Sequence, residues 1–145
     1  MLIKWTQQIR SDIMGISEVG INFGAKQQQR SFRKMVSSHG WQGMTVNAYN
    51  EHDTREGRMQ PGGVAILVAS RINHLVTDTG KDETGLGRWV WIELTGANGE
   101  KIRVYQLYRC LPHARFEGSV FRQQQNYLIS QHDRRSPYVA MMEDL

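Results

Sequence analysis

The spacing of apolar side chains changes along the chain between helical and strand periodicity, which predicts a mixed α/β fold. Apolar residues recur at helical spacing over residues 1–10 and again over residues 25–39, and this spacing predicts two helices. Gly40 follows the second helix and is expected to end it. Other apolar segments are shorter and either continuous or alternating, so they predict strands.

Residues 12–19 and 62–70 are nearly continuous apolar runs, which is typical of strands covered on both faces. Residues 43–49 predict a further strand, and the polar residues 50–60 that follow predict a long exposed loop. We therefore expect the first half of the chain to alternate helices with strands.

The segment 85–112 alternates large side chains on two faces, which predicts a β-hairpin with its turn at Asn98-Gly99. Because both faces carry large side chains, we expect this hairpin to pack on a second sheet and beneath helices. Trp89 and Trp91 fit packing positions in the sheet, and stacking on nucleic-acid bases is an alternative role for them.

The chain has 145 residues, of which 39% are hydrophobic and 22% charged, as in an ordinary globular protein. No apolar run approaches the ~20 residues of a membrane span, and the start of the chain lacks the apolar core of a signal peptide. We therefore expect an intracellular protein without a membrane partner. The single Cys110 excludes an intrachain disulfide and a cysteine zinc site, and it fits a packing residue better than a nucleophile.

Arginine dominates the positive charge of the chain, with 13 Arg against 5 Lys and a net charge of +4. Guanidinium groups match phosphate geometry better than ammonium groups do, so this bias suits a polyanionic partner. Arg109, Arg115 and Arg122 follow the second strand of the hairpin and are the candidates for phosphate contacts. Solvated surface arginines give the same composition, and this alternative stays open at each position.

Glu18 places one carboxylate at the end of the apolar strand 12–19. A carboxylate on a rigid strand is a hard oxygen donor of the kind that Mg²⁺ takes as one of its few protein ligands. A strand-end glutamate is more commonly solvated, or bonded to the backbone at the start of the next helix. The residues of this strand alone leave both roles open.

Four motifs occur in a fixed order along the chain. They are a strand ending in Ser17-Glu18, the segment Gly62-Gly63-Val64-Ala65-Ile66, the segment Gly85-Leu86-Gly87-Arg88-Trp89, and a strand that leaves through Tyr108-Arg109. This order resembles the endonuclease/exonuclease/phosphatase family, and in particular the nuclease-like domains of non-LTR retroelements. The resemblance covers nearly all of the chain.

The resemblance implies an α/β fold, namely half of a four-layered α/β sandwich with a mixed, largely antiparallel sheet and flanking helices. It implies that Glu18 binds Mg²⁺ or Mn²⁺, that Tyr108 is catalytic beside the scissile phosphate, and that Arg109 and Arg115 bind substrate. The implied function is a Mg²⁺-dependent phosphodiesterase, a retroelement-type DNA endonuclease. The alternatives are a phosphatase of small phosphate esters or lipids, and a catalytically dead remnant that binds nucleic acid or a partner.

The family pattern further implies that residues 1–145 are a partial domain, which lacks the first strand and the C-terminal half. Those parts carry a metal-binding asparagine, an Asp-x-Asn strand and a Ser-Asp-His motif. We therefore expect that these residues alone do not cleave DNA, and that one face of the strands at 64–69 and 89–94 lacks its covering sheet. The remaining half of the domain and a downstream reverse transcriptase are implied partners, and a eukaryotic retroelement would place the protein in the nucleus.

Overall fold

The computed structural model describes residues 10–53, 59–112 and 118–145. The strands in this part of the chain are β1 Ile13–Ser17, β2 Thr45–Ala48, β3 Val64–Val68, β4 Val76–Lys81, β5 Trp89–Thr95 and β6 Lys101–Leu107. The helices are α1 Lys26–Ser38, a 3-10 helix Ser70–Leu75, α2 Val120–Ser130 and α3 Pro137–Asp144. The predicted α/β class is confirmed, and the helix predicted over residues 1–10 falls outside the described residues.

The strands form two three-stranded antiparallel sheets. In the first sheet β3 lies between β1 and β2, so that Gly15 and Val46 both face Ile66 across the ladder. In the second sheet β5 lies between β4 and β6, and Trp91 pairs with Tyr105. The predicted hairpin is confirmed as β5 and β6.

Apolar side chains from both sheets form one buried cluster. All five residues of β3 are 0–1% exposed, which confirms the prediction of an interior strand. The expectation that one face of the strands at 64–69 and 89–94 lacks cover is wrong for β3 and for the inward side of β5. The two sheets supply that cover to each other through Ala48, Val64, Ile66, Val68, Val90 and Ile92.

The strand predicted over residues 12–19 is β1, which has an apolar cluster on each face but is only partly buried. This strand is at the edge of its sheet, and Met14 is its one buried residue. Met14 packs in a second apolar cluster with Phe32 and Val36 of α1. Gly15 faces the second sheet, where an added Cβ would come 1.7 Å from Gln106 Oε1. The glycine therefore allows β1 and β6 to approach closely.

The sequence contains residues that terminate or cap these helices. The helix predicted over residues 25–39 is confirmed as α1, and Gly40 follows it with φ +90°. Ser119 and Ser136 cap α2 and α3, each accepting a hydrogen bond from the backbone three residues on. Within the described residues, no helix combines the length and the apolar character that a membrane crossing requires.

Two parts of the chain differ from the sequence prediction. Residues 70–81 form the 3-10 helix and β4, which were not predicted because the sequence of β4 is polar and the strand lies at a sheet edge. The loop 50–60 was predicted to be exposed, yet Asn50 and Gln60 are buried at its two ends. Hydrogen bonds accompany this burial, since Gln60 Nε2 donates to the Asn50 carbonyl and Asn50 Nδ2 donates to Gln123 Oε1.

Candidate functional site

Glu18 and Tyr108 meet where β1 and β6 end. The Tyr108 hydroxyl donates a hydrogen bond of 2.7 Å to Glu18 Oε1. One residue earlier, the Ser17 hydroxyl donates to the Leu107 carbonyl at 2.9 Å and joins the two strand ends. The two residues that the sequence motifs single out as catalytic and metal-binding therefore lie in direct contact.

Glu18 adopts a left-handed backbone conformation with φ +53°. This conformation costs a residue with a Cβ roughly 1–2 kcal/mol, so the surrounding structure has to hold it. The next residues provide that support, because Val19 N donates to the Gly63 carbonyl and Gly20 N donates to the Gly62 carbonyl. Strained backbone of this kind clusters at functional sites.

The glycine pair Gly62-Gly63 lies beside the two residues that follow Glu18, through the same backbone hydrogen bonds. Both glycines have positive φ, at +84° and +81°. A Cβ on Gly62 would lie 3.2 Å from Val120 Cγ2 and 3.4 Å from Tyr108 Cε1. The pair therefore lets the loop pass closely beside the Tyr108 ring and the start of α2.

Arg88 contacts Tyr108 through the backbone. The Tyr108 amide donates to the Arg88 carbonyl at 2.8 Å. Arg88 is 0% exposed, and its side chain binds Asp82 through Nε and Nη2, at 2.8 and 2.9 Å. Burial alone raises the pKa of the Asp82 carboxyl, but the hydrogen bonds from Arg88 and Thr84 outweigh it and hold the pKa below its ordinary value. Arg88 and Asp82 therefore form a buried, ionised pair next to Tyr108.

Tyr108 stays protonated at neutral pH. Burial of its ring raises the pKa of the phenol, and the hydrogen bond and negative charge of Glu18 raise that pKa further. A neutral phenol donates a hydrogen bond and is a poor nucleophile or base. Glu18 is exposed, so its carboxylate is accessible to a cation from solvent.

A cavity of ≈ 460 Å³ opens beside this pair. Arg109 lies on its rim, and the Arg109 guanidinium carbon is 4.2 Å from the centre of the Tyr138 ring. The rest of the lining is largely apolar and comes from the loops and the first turn of α2: Pro61, Cys110, Leu111, Gly118, Ser119, Val120 and Phe121. The cavity therefore combines a carboxylate, a phenol and a guanidinium with an apolar wall.

The remaining predicted residues have different outcomes. Arg115 lies outside the described residues, and Arg122 is in the first turn of α2, where its amide binds the Ser119 hydroxyl. Cys110 is buried and lies 3.1 Å from Gln124 Oε1, and burial raises the pKa of its thiol. This environment agrees with a packing role for Cys110.

Trp91 packs closely against its neighbours in the second sheet. A Cβ added to Gly80 would come 2.4 Å from the indole ring. The Arg103 guanidinium carbon lies 4.2 Å from the ring centre. These contacts favour packing over base stacking.

The described residues contain no group of three or more His, Cys, Asp or Glu side chains that could hold a metal ion. Glu18 contributes a single exposed carboxylate at the cavity. Mg²⁺ commonly takes about one or two protein carboxylates and completes its shell with water and substrate phosphate. Glu18 therefore fits one ligand position of such an ion.

Sequence reasoning missed two supporting residues, Asp82 and Tyr138. Arg88 belongs to the segment Gly85-Leu86-Gly87-Arg88-Trp89, but nothing in the local sequence pattern marks Asp82 as its partner or Tyr138 as the neighbour of Arg109.

A comparison with models of known protein families finds no match to this chain, and neither does a search of curated proteins. The interpretation of the site therefore rests on its residues and their geometry.

Proposed function

We propose that this site belongs to a Mg²⁺-dependent phosphodiesterase of the endonuclease/exonuclease/phosphatase type, with DNA as substrate, as in a retroelement-type endonuclease. The hydrogen bond of 2.7 Å between Tyr108 and Glu18 carries the proposal, because it joins a proton donor to an exposed carboxylate at one cavity. Mn²⁺ would be able to replace Mg²⁺ at such an oxygen site.

Each residue has a distinct role in this proposal. Glu18 would hold the ion, which when bound supplies positive charge to the phosphoryl oxygens. Tyr108, protonated at neutral pH, would donate its O–H to a phosphoryl oxygen of the scissile group. Arg109 on the rim would bind a phosphate of the same strand, with Arg115 as a second contact.

We also propose that the two sheets and their helices are half of a four-layered α/β sandwich. The buried cluster shared by the sheets and the packing of α1 on the other face of the first sheet support this arrangement. The other half of the domain and a reverse transcriptase would be the partners of the chain. A nuclear location in a eukaryotic host belongs to the same proposal.

The apolar wall of the cavity favours a second candidate function. Pro61, Leu111 and Phe121 lie beside the position proposed for the phosphate. A phosphatase that acts on small esters or lipids would use such a wall to bind the apolar part of its substrate. The two candidates share the phosphate chemistry and differ in the substrate.

The test measures binding of a fluorescent DNA duplex by anisotropy, with Mg²⁺ or with EDTA. We expect Mg²⁺ to strengthen binding to the parental protein and to a Glu83→Gln control, but not to Glu18→Gln. Nicking of supercoiled plasmid and hydrolysis of p-nitrophenyl phosphate are measured in parallel. Hydrolysis of the small ester without DNA binding would support the phosphatase.

DNA binding that is indifferent to Mg²⁺ in all three proteins, with no cleavage of any substrate, would overturn both enzyme proposals. That result would instead fit a remnant that binds nucleic acid without catalysis. Plasmid nicking that disappears in Glu18→Gln would show that the 145 residues are active by themselves, contrary to the expectation from the sequence.

A further inference from the structure

Arg109 lies on the cavity rim with an exposed side chain. A free arginine side chain samples many rotamers, and binding a phosphate costs it part of that rotamer entropy. In this structure the guanidinium carbon is 4.2 Å from the centre of the Tyr138 ring. This distance is within the range of a cation–π contact, which restricts the side chain before any ligand arrives.

Tyr138 is held in place although the residue is 42% exposed. It belongs to α3, whose residues Pro137, Ala140 and Met141 are buried. At the other end of the helix, Asp144 accepts from Arg88 at 3.1 Å. The helix is therefore anchored by both apolar packing and the buried arginine beneath Tyr108.

Stacking on a ring leaves the edge of a guanidinium free. The N–H groups of arginine point outward in the plane of the group, and they can still form two parallel bonds to a phosphate. An arginine stacked on an aromatic ring is thus both oriented and available.

We propose that Tyr138 is a positioning residue that orients Arg109 toward a DNA phosphate at the Glu18–Tyr108 cavity. This inference rests on the proposed function, in which Arg109 contacts phosphate. It adds that the last described helix takes part in substrate binding through an aromatic ring rather than through a charge.

The test is a titration of a DNA duplex by fluorescence anisotropy at several KCl concentrations, in EDTA so that no divalent ion takes part. Arg109→Ala should weaken binding and reduce the slope of log K against log salt by about 0.9, the value for one lost phosphate contact. Tyr138→Leu should weaken binding by about two- to tenfold, the range for freeing one side chain.

Three comparisons separate positioning from a general loss of structure. Tyr138→Phe retains the ring and should bind DNA like the parental protein. Tyr138→Leu should have no further effect in an Arg109→Ala background, because the side chain that it orients is absent. Met142→Ala, at a 49% exposed position of the same helix, should also bind normally. Thermal unfolding of each variant reports whether the helix is retained.

The possible results distinguish the two proposals. If Arg109→Ala weakens binding but Tyr138→Leu does not, the positioning role is overturned and the proposed function stands. Equal losses from Tyr138→Leu with and without Arg109 would also overturn it. If Arg109→Ala binds DNA like the parental protein, Arg109 makes no phosphate contact. The positioning role is then overturned, and the proposed function loses the role that it gives to Arg109.

Discussion

The Tyr108 hydroxyl and the Glu18 carboxylate are 90 residues apart in the chain and are joined by a hydrogen bond of 2.7 Å. A phenol has one O–H proton, so it can donate to one strong acceptor at a time. A phosphate bound by Tyr108 would therefore take this hydrogen bond from Glu18 and leave the carboxylate available to a cation. Phosphate and cation would each favour the binding of the other, which is a thermodynamic linkage between two ligands.

The first prediction concerns stability at alkaline pH. Burial and the contact with Glu18 raise the pKa of Tyr108 above 10.0, so the folded state holds the proton more tightly than the unfolded state does. This stabilisation is complete below about pH 10 and is lost as the pH rises toward the folded pKa. Between about pH 10 and 11, the parental protein should lose about 1 kcal/mol more stability than Tyr108→Phe.

Urea unfolding of the two proteins at both pH values measures this difference, since the other titrating groups are common to both. A second check is the absorbance of tyrosinate during an alkaline titration. Tyr108→Phe should reduce the absorbance change in denaturant but not in the folded protein. Parallel stability curves for the two proteins would contradict the prediction.

The second prediction concerns the backbone strain at Glu18, where φ is +53°. Glycine adopts this conformation without a Cβ clash, whereas alanine does not. Glu18→Gly should therefore be more stable than Glu18→Ala by about 1 kcal/mol, and both should lose the effect of Mg²⁺ on DNA binding. Denaturant unfolding measures the first difference and anisotropy the second. Equal stability of the two variants would show that the turn relaxes when the carboxylate is removed.

The sequence predicted the central elements well because their periodicity is local. The run Val64–Val68 is apolar throughout, as a strand buried on both sides requires, and the alternation in β5 and β6 flanks a turn with a glycine at φ +84°. The edge strands were predicted less well. The sequence of β4 has no alternation of apolar and polar residues. The apolar residues of β1 contact a different cluster on each face, and the strand is partly exposed.

The candidate site was predicted in part. Glu18 and Tyr108 were chosen from motifs, and their contact follows from the fold rather than from any spacing in the sequence. The partners of Arg88 and Arg109 could not be predicted, since Asp82 and Tyr138 come from segments whose position depends on tertiary packing. Periodicity specifies which face of an element is buried but not which polar side chains meet.

The third prediction compares two glycines with similar backbone conformations. Gly87 has φ +71° and Gly99 has φ +84°. A Cβ on Gly87 would come 2.5 Å from the backbone carbonyl carbon of Tyr49, whereas a Cβ on Gly99 has no atom within 4 Å. Gly99→Ala should cost about 1 kcal/mol from backbone strain alone. Gly87→Ala should cost about 3 kcal/mol or more, because backbone must move.

Urea unfolding of both alanine variants under the same conditions measures the difference. Because Gly87 precedes Arg88, the displaced backbone should also disturb the hydrogen bond between the Arg88 carbonyl and the Tyr108 amide. Nuclear magnetic resonance would detect this as a shift of the Tyr108 amide signal in Gly87→Ala but not in Gly99→Ala. Similar costs for both substitutions would mean that the close approach to Tyr49 is absent in solution.

The last prediction concerns the buried pair of Arg88 and Asp82, which are 0% and 1% exposed. Arg88→Met leaves a buried carboxylate without its partner, and such a loss costs about 3–5 kcal/mol. Replacing both residues, as Arg88→Met with Asp82→Leu, removes both charges and should restore most of that stability. The double-mutant cycle from urea unfolding at neutral pH should therefore be strongly non-additive.

The pH dependence of the same variants tests the assignment of charge. The pKa of Asp82 is lowered in the folded state, so its stabilisation is present above the unfolded pKa of 3.8 and is lost as the pH falls through the folded pKa. Arg88→Met removes the largest of the contacts that lower this pKa, while Thr84 remains, so the pKa of Asp82 should rise from its value in the parental protein. The single variant should consequently lose less stability on acidification than the parental protein. A steeper acid loss in Arg88→Met would show that another cation stabilises Asp82.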